Sequence, residues 1–213
     1  MEPEPEPEPG SQPQQSAVEE RFIFLDVDGV LHPIGEPPFL TPLEADWDDV
    51  TKRADESIAN ADDPQHVTRV CKGEFTAPCM AALQRAVVTA DASIILSTTW
   101  RRSPADRRAV LQQLQPYGLD TRVVGDTPHG GARGHECRMW LDEYCVQRQD
   151  GNALRSVSFV VLDDDEEGVL AGPHISASRF VCTKRADGMT EADADRAISI
   201  LRAGYGSLGG DAT

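Results

Sequence analysis

Two aspartates one residue apart, Asp26 and Asp28, close the apolar run Phe22-Ile23-Phe24-Leu25 and lead into Gly29-Val30-Leu31-His32. Four consecutive apolar residues predict a buried, parallel strand, and the carboxylates arrive where burial must end, because unpaired charge is costly inside a core. Side chains two apart in an extended chain share a face, so both acids can serve one site, and Gly29 permits a sharp turn behind them. Paired acids followed by a turn suit the binding of a metal ion and a phosphate. The pattern recurs where Ser156-Val157-Ser158-Phe159-Val160-Val161-Leu162 runs into Asp163-Asp164-Asp165-Glu166-Glu167. A third apolar run, Ala92-Ser93-Ile94-Ile95-Leu96, ends instead in Ser97-Thr98-Thr99-Trp100-Arg101, hydroxyls followed by a cation.

The elements that must position these ends alternate. Thr76 as cap, Pro78 in the first turn and Met80, Leu83, Val87 and Val88 at spacings of three and four predict an amphipathic helix. The stretch 92–101 reads as the second strand, with its polar end beside the first. Pro104 to Gln115 reads as a helix stopped by Pro116 and Gly118, and Thr121–Gly125 as a short third strand. After the Gly-rich stretch 127–134, a helix carries Cys137, Trp140, Leu141 and Tyr144 on its apolar face. Arg179–Thr183 reads as a fifth strand, and Thr190 caps a closing helix through Ile198 and Leu201. This order predicts an α/β fold: a Rossmann-like parallel five-stranded sheet with helices on both faces, a small insertion after the first strand, and a site at the strands' C-terminal ends.

Residues 1–17, opening Met-Glu-Pro-Glu-Pro-Glu-Pro-Glu-Pro, read as a disordered acidic tail, 18–203 as one domain, and 204–213 as a flexible Gly-rich tail. The insertion at 32–72, rich in Pro, Asp and Glu, reads either as a flap or minimal cap over the site, anchored by Trp47 with Leu40, Leu43 and Val50, or as a surface excursion. His32, beside Pro33, reads as a turn histidine, with a contact to substrate as the alternative. Of Arg101, Arg102, Arg107 and Arg108, Arg101 stands apart from a solvated basic face because it follows the strand-end hydroxyls. The net charge of −16 argues against a groove for long nucleic acid and against an anionic membrane surface. The five cysteines include no C-x-x-C pair and are odd in number, which suggests neither a zinc site nor a disulfide framework. Without a long apolar stretch or an export signal, the expected location is the cytoplasm.

Taken in order, Asp26-x-Asp28-Gly29-Val30, the strand-end Ser97-Thr98, Arg133 ahead of a helix, and Asp163-Asp164 resemble the four motifs of the haloacid dehalogenase-like (HAD) phosphohydrolases. Leu-Ser-Thr-Thr-Trp-Arg, Arg-Gly-His-Glu before Trp140-Leu141, and Val-Leu-Asp-Asp-Asp are most similar to the small HAD subgroup associated with RNA-repair proteins. The resemblance implies an Mg²⁺-dependent phosphatase in which Asp26 attacks phosphorus and becomes an aspartyl-phosphate, while Asp28 protonates the leaving oxygen and later activates water. It implies Mg²⁺ held by Asp26, the main-chain carbonyl of Asp28, and Asp163 or Asp164, with Asp165 a lesser candidate. Ser97, Thr98 and Arg133 are implied as phosphoryl contacts. The third motif commonly carries lysine, and Arg138 is the alternative to Arg133. The implied substrate is a phosphorylated small molecule or short nucleotide. A non-catalytic phosphate- or metal-binding regulatory module on the same scaffold is the second reading. Carbon–halogen hydrolysis is disfavoured, since a halide leaving group needs no acid such as Asp28.

Overall fold

The structure, a computed structural model, describes residues 20–34, 75–147 and 157–203. The tails at 1–17 and 204–213 and the insertion beyond Ile34, including Leu40, Leu43, Trp47 and Val50, lie outside the described residues, as does Ser156. The strands are β1 (Glu20–Leu25), β2 (Ser93–Leu96), β3 (Val123–Asp126), β4 (Val157–Asp163) and β5 (Phe180–Cys182). They form one five-stranded sheet in the order β3-β2-β1-β4-β5, and every neighbouring pair is parallel. The α/β expectation holds, with β1 at the centre between β2 and β4.

Alternation along the strands feeds two cores. Ile23, Leu25, Ile94, Leu96, Val160 and Leu162 face one side, packed with α1 (Ala77–Ala90), α2 (Pro104–Leu114) and α5 (Glu191–Arg202). Phe22, Phe24, Ile95, Phe159 and Val161 face the other, against α3 (Arg133–Gln147) and α4 (Glu166–Leu170). Helices therefore cover both faces, as continuous apolar strands require. Helix α5 begins in a capping box: Asp193 N–H donates to Thr190 Oγ1, and Thr190 N–H donates to Asp193 Oδ2 at 2.8 Å.

Two element boundaries differ from the sequence reading. Strand pairing in β2 stops at Leu96 rather than running on to Arg101, because Thr98 Oγ1 accepts from Trp100 N–H and starts a 3₁₀ turn over Thr99–Arg102. The third strand begins at Val123, since Asp120–Arg122 forms another 3₁₀ turn. The chain leaves the described residues after Ile34 and returns at Phe75, and Thr76 N–H donates to Leu31 O at 3.1 Å. Both ends of the insertion thus meet directly behind the Asp26–Asp28 segment.

Phe24 is fully buried and meets Trp140 and Phe159 edge-on, with ring centroids 5.6 and 5.9 Å away. Phe24→Ala is expected to lower stability by about 3–5 kcal/mol, seen as a lower urea midpoint with an unchanged m-value. A loss below about 1 kcal/mol would mean that this face is not the close-packed core described.

Candidate functional site

Register brings the two acidic strand ends together. Leu25 pairs with Leu162 across β1 and β4, and Asp26 N–H donates to Leu162 O at 3.0 Å. Asp26 and Asp163, each the next residue along, therefore emerge side by side. Gly29 turns the chain away at φ +76°, and a Cβ there would lie 2.4 Å from the Asp164 carboxyl carbon. The turn needs glycine twice over, for its left-handed backbone and for the space that Asp164 occupies.

One carboxylate oxygen from each of Asp26, Asp163 and Asp164 falls within a cluster of span 4.8 Å. Asp26 and Asp163 are buried, at 6% and 1% exposure. Burial raises the pKa of Asp26 most, and the Asp163 carboxylate raises it further, against the opposing pull of Arg133. Asp163 is raised chiefly by burial, again opposed by Arg133, and Asp164 is raised by burial and opposed by Arg185. Arg133, the first residue of α3, is the cation among them. Its Nε lies 3.1 Å from Asp163 Oδ2 and its Nη2 3.5 Å from Asp26 Oδ1, while its Nη1 donates to Ser97 O. Asp163 Oδ2 nevertheless accepts no hydrogen bond, because the guanidinium meets it as a charge without donor alignment. A compact set of hard oxygen donors, one of them buried and short of a hydrogen bond, fits a divalent cation of the Mg²⁺ kind.

Arg133 reaches this cluster because α3 approaches α4 very closely. A Cβ on Gly134 would sit 2.0 Å from Val169 O, so only glycine lets the start of α3 settle there. Arg138, one turn further on, pairs instead with Asp142 at 2.9 Å and lies away from the cluster. Asp165 is committed to capping α4: its Oδ1 accepts from Gly168 N–H, and its own N–H donates to Asp163 Oδ1, each at 2.9 Å. Ser97 and Thr98 are both fully buried beside Asp26. Ser97 Oγ shares a hydrogen bond with Cys137 Sγ at 3.5 Å, whereas the Thr98 side chain bonds to Asp26 and lowers its pKa. Burial pushes the Cys137 thiol up to about 12, which leaves it inert as a nucleophile.

Arg101 does not face a substrate. Its side chain is buried against Glu136, Nη2 to Oε2 at 2.6 Å, and it donates to the carbonyls of Thr127, Thr98 and Pro128. It ties the turn behind β2 to the loop behind β3, a role that a residue directly after strand-end hydroxyls does not announce. Asp28 adds no carboxylate oxygen to the acidic cluster. Its Oδ2 accepts from the Trp100 indole Nε1–H at 2.8 Å, and its Oδ1 lies 3.1 Å from His32 Nδ1. Trp100 and His32 thus belong to the site. Residue type gives no hint of Trp100, which lies 72 positions from Asp28. A cavity of about 690 Å³ opens elsewhere, between α3 and the β3 edge, lined by Trp140, Tyr144 and Val124 and by none of Asp26, Asp28, Asp163 or Asp164.

A parallel sheet with its acids at the C-terminal ends of β1 and β4, where the strand order reverses, defines an α/β domain of the doubly wound class with a crevice site. Within that class the chain belongs to the family of HAD domains in Swiss Army Knife RNA repair proteins, whose family model matches residues 22–194. Among solved structures it is similar to the HAD domain of effector protein Lem4 from Legionella pneumophila, at 16% identity and a TM-score of 0.46, covering 87% of this chain and 97% of that one. No curated protein matches the chain. Among the described residues, no helix is long and apolar enough to cross a membrane.

Raised carboxyl pKa values make the metal-free fold bind more protons than the unfolded chain just above the ordinary Asp range, so these groups cost stability as pH rises above about 4. Asp163→Asn removes one such group and relieves Asp26. In chelator, the variant is expected to gain on the wild type between pH 5 and 8, by up to about 1.4 kcal/mol per pH unit for each group titrating. Urea unfolding at several pH values checks this, and a difference that stays flat with pH would contradict it.

Proposed function

We propose that the chain is an Mg²⁺-dependent phosphatase that hydrolyses a phosphomonoester through an aspartyl-phosphate on Asp26. The observation that carries this reading is the pair of buried carboxylates, Asp26 and Asp163, held side by side under one arginine with Asp164 within reach. Asp26, Asp163, Asp164 and the main-chain carbonyl of Asp28 would hold Mg²⁺, which when bound supplies neutralisation of the repulsion between carboxylate and phosphate.

In the first half-reaction Asp26 attacks phosphorus and forms a P–O bond, the bond to the leaving oxygen breaks, and Asp28 gives that oxygen its proton. In the second, Asp28 takes a proton from water as the water oxygen attacks phosphorus. The bond to Asp26 breaks, inorganic phosphate leaves, and both aspartates return to their starting states. Arg133 neutralises charge on the transferred group, and Thr98 and Ser97 line the same strand end to hold its oxygens. Of the two hydroxyls, Thr98 is the nearer to the reacting carboxylate, since its side chain bonds to Asp26 whereas Ser97 bonds to Cys137.

The RNA-repair setting of the family supports nucleotide or nucleic-acid phosphate ends as substrates, and the net charge of −16 supports short or monomeric ones over long nucleic acid. The same charge disfavours an anionic membrane, and a cytoplasmic setting suits nucleotide substrates. With p-nitrophenyl phosphate the full chain is expected to turn over in Mg²⁺ and to stop in chelator, and Asp26→Asn is expected to lower kcat by at least about 10³-fold. Undiminished turnover in that variant would remove Asp26 as nucleophile. Binding of phosphate mimics without turnover, across metabolites and 3′- or 5′-phosphorylated oligonucleotides, would favour the non-catalytic module.

A further inference from the structure

We propose that Trp100 is a positioning residue for Asp28: its indole N–H fixes which carboxylate oxygen meets the leaving group. The inference rests on the reading of Asp28 as proton donor. Trp100 Nε1–H donates to Asp28 Oδ2 at 2.8 Å, and His32 Nδ1 stands 3.1 Å from Oδ1 on the other side. An indole nitrogen donates and never accepts, and a carbonyl oxygen accepts better than a hydroxyl, so this bond disfavours placing on Oδ2 the proton that Asp28 must deliver. That proton is left to Oδ1. It passes from Oδ1 to the leaving oxygen as the phosphorus–oxygen bond breaks.

The chain around Trp100 is built to hold the ring still. It sits in the 3₁₀ turn Thr99–Arg102, whose start is capped by Thr98 Oγ1 and whose next residue, Arg101, is buried against Glu136 and three carbonyls. Phe75 and His32 lie against the indole, with ring centroids 6.2 and 6.5 Å away. Asp28 itself is 37% exposed at the side chain, so without these partners its carboxylate would be free to rotate in solvent. A group that must be within hydrogen-bond reach of a reacting oxygen gains from such restraint.

The role predicts dependence on the leaving group. A p-nitrophenolate leaves readily without a proton, whereas an alkoxide does not. With the full chain in Mg²⁺, Trp100→Phe is expected to lower kcat/KM, which reports the first half-reaction alone, by about 10- to 100-fold on an alkyl phosphate and by less than about threefold on p-nitrophenyl phosphate. In an Asp28→Asn background the same substitution should cost nothing further on the alkyl phosphate, because the residue it acts through is gone. Equal losses of kcat/KM on both substrates, or additive losses in the double variant, would overturn the proposal. A second arm needs no turnover and no Trp100 variant: the indole N–H resonance of Trp100 is expected to move in Asp28→Ala, and an unmoved resonance would overturn the pairing. A wild type inactive on every phosphate would overturn the phosphatase reading instead, with the resonance still deciding whether Trp100 holds Asp28.

Discussion

Three carboxylates brought within 4.8 Å of one another at the end of a sheet are a standing electrostatic problem, and the surrounding structure is organised to contain it. The adjacency is not adjustable. Strand register makes Asp26 and Asp163 neighbours, and shifting it would break the ladder that buries Phe24, Leu25, Val161 and Leu162. Repulsion must therefore be met by a cation rather than by separation. Arg133 meets part of it, reaching Asp163 and Asp26 from one side, yet burial still pushes both acids up. What is left over is a demand for further positive charge.

Placing Arg133 requires fold-level precision that lies away from the acids. Gly134 lets α3 press against Val169 in α4, and α4 in turn is set by the Asp165 cap directly behind Asp163 and Asp164. The buried Arg101–Glu136 pair joins the segments after β2 and β3, so the hydroxyl-bearing end of β2 is tied to the start of α3. A buried ion pair adds little net stability over apolar packing. Its use here is geometric: Glu136 lies three residues beyond Arg133 and is pinned through Arg101 to the carbonyl of Thr98.

Much of this was legible in the chain. The apolar runs ending in acids located β1 and β4, and the helix start singled out Arg133 over Arg138, which the structure gives to Asp142. The family resemblance read from four short motifs agrees with the family matched over residues 22–194. The rest was hidden for definite reasons. Helix α4 has five residues, too few for helical periodicity to show, so the third aspartate of Asp163-Asp164-Asp165 could not be separated as a cap. Arg101 follows strand-end hydroxyls, where a substrate contact and a buried clamp call for the same residue type. Trp100 and Asp28 meet only through the alignment of β1 with β2, and no local pattern encodes a contact made across the sheet.

The two aspartates of the first motif show how one residue type is given two natures by position. Asp26 lies nearly out of solvent, against Arg133 and Asp163, where its carboxyl group is held close to charged neighbours and away from water. Asp28, two residues on, is past the end of the strand, part-exposed, and held between an indole and an imidazole. A nucleophile benefits from the first setting, where ionic neighbours align it and water is scarce. In the proposed mechanism the group that gains and loses a proton each turn takes the second, where solvent can replenish it. Gly29 fixes this division, since the turn it allows takes Asp28 out of the sheet while leaving Asp26 within it.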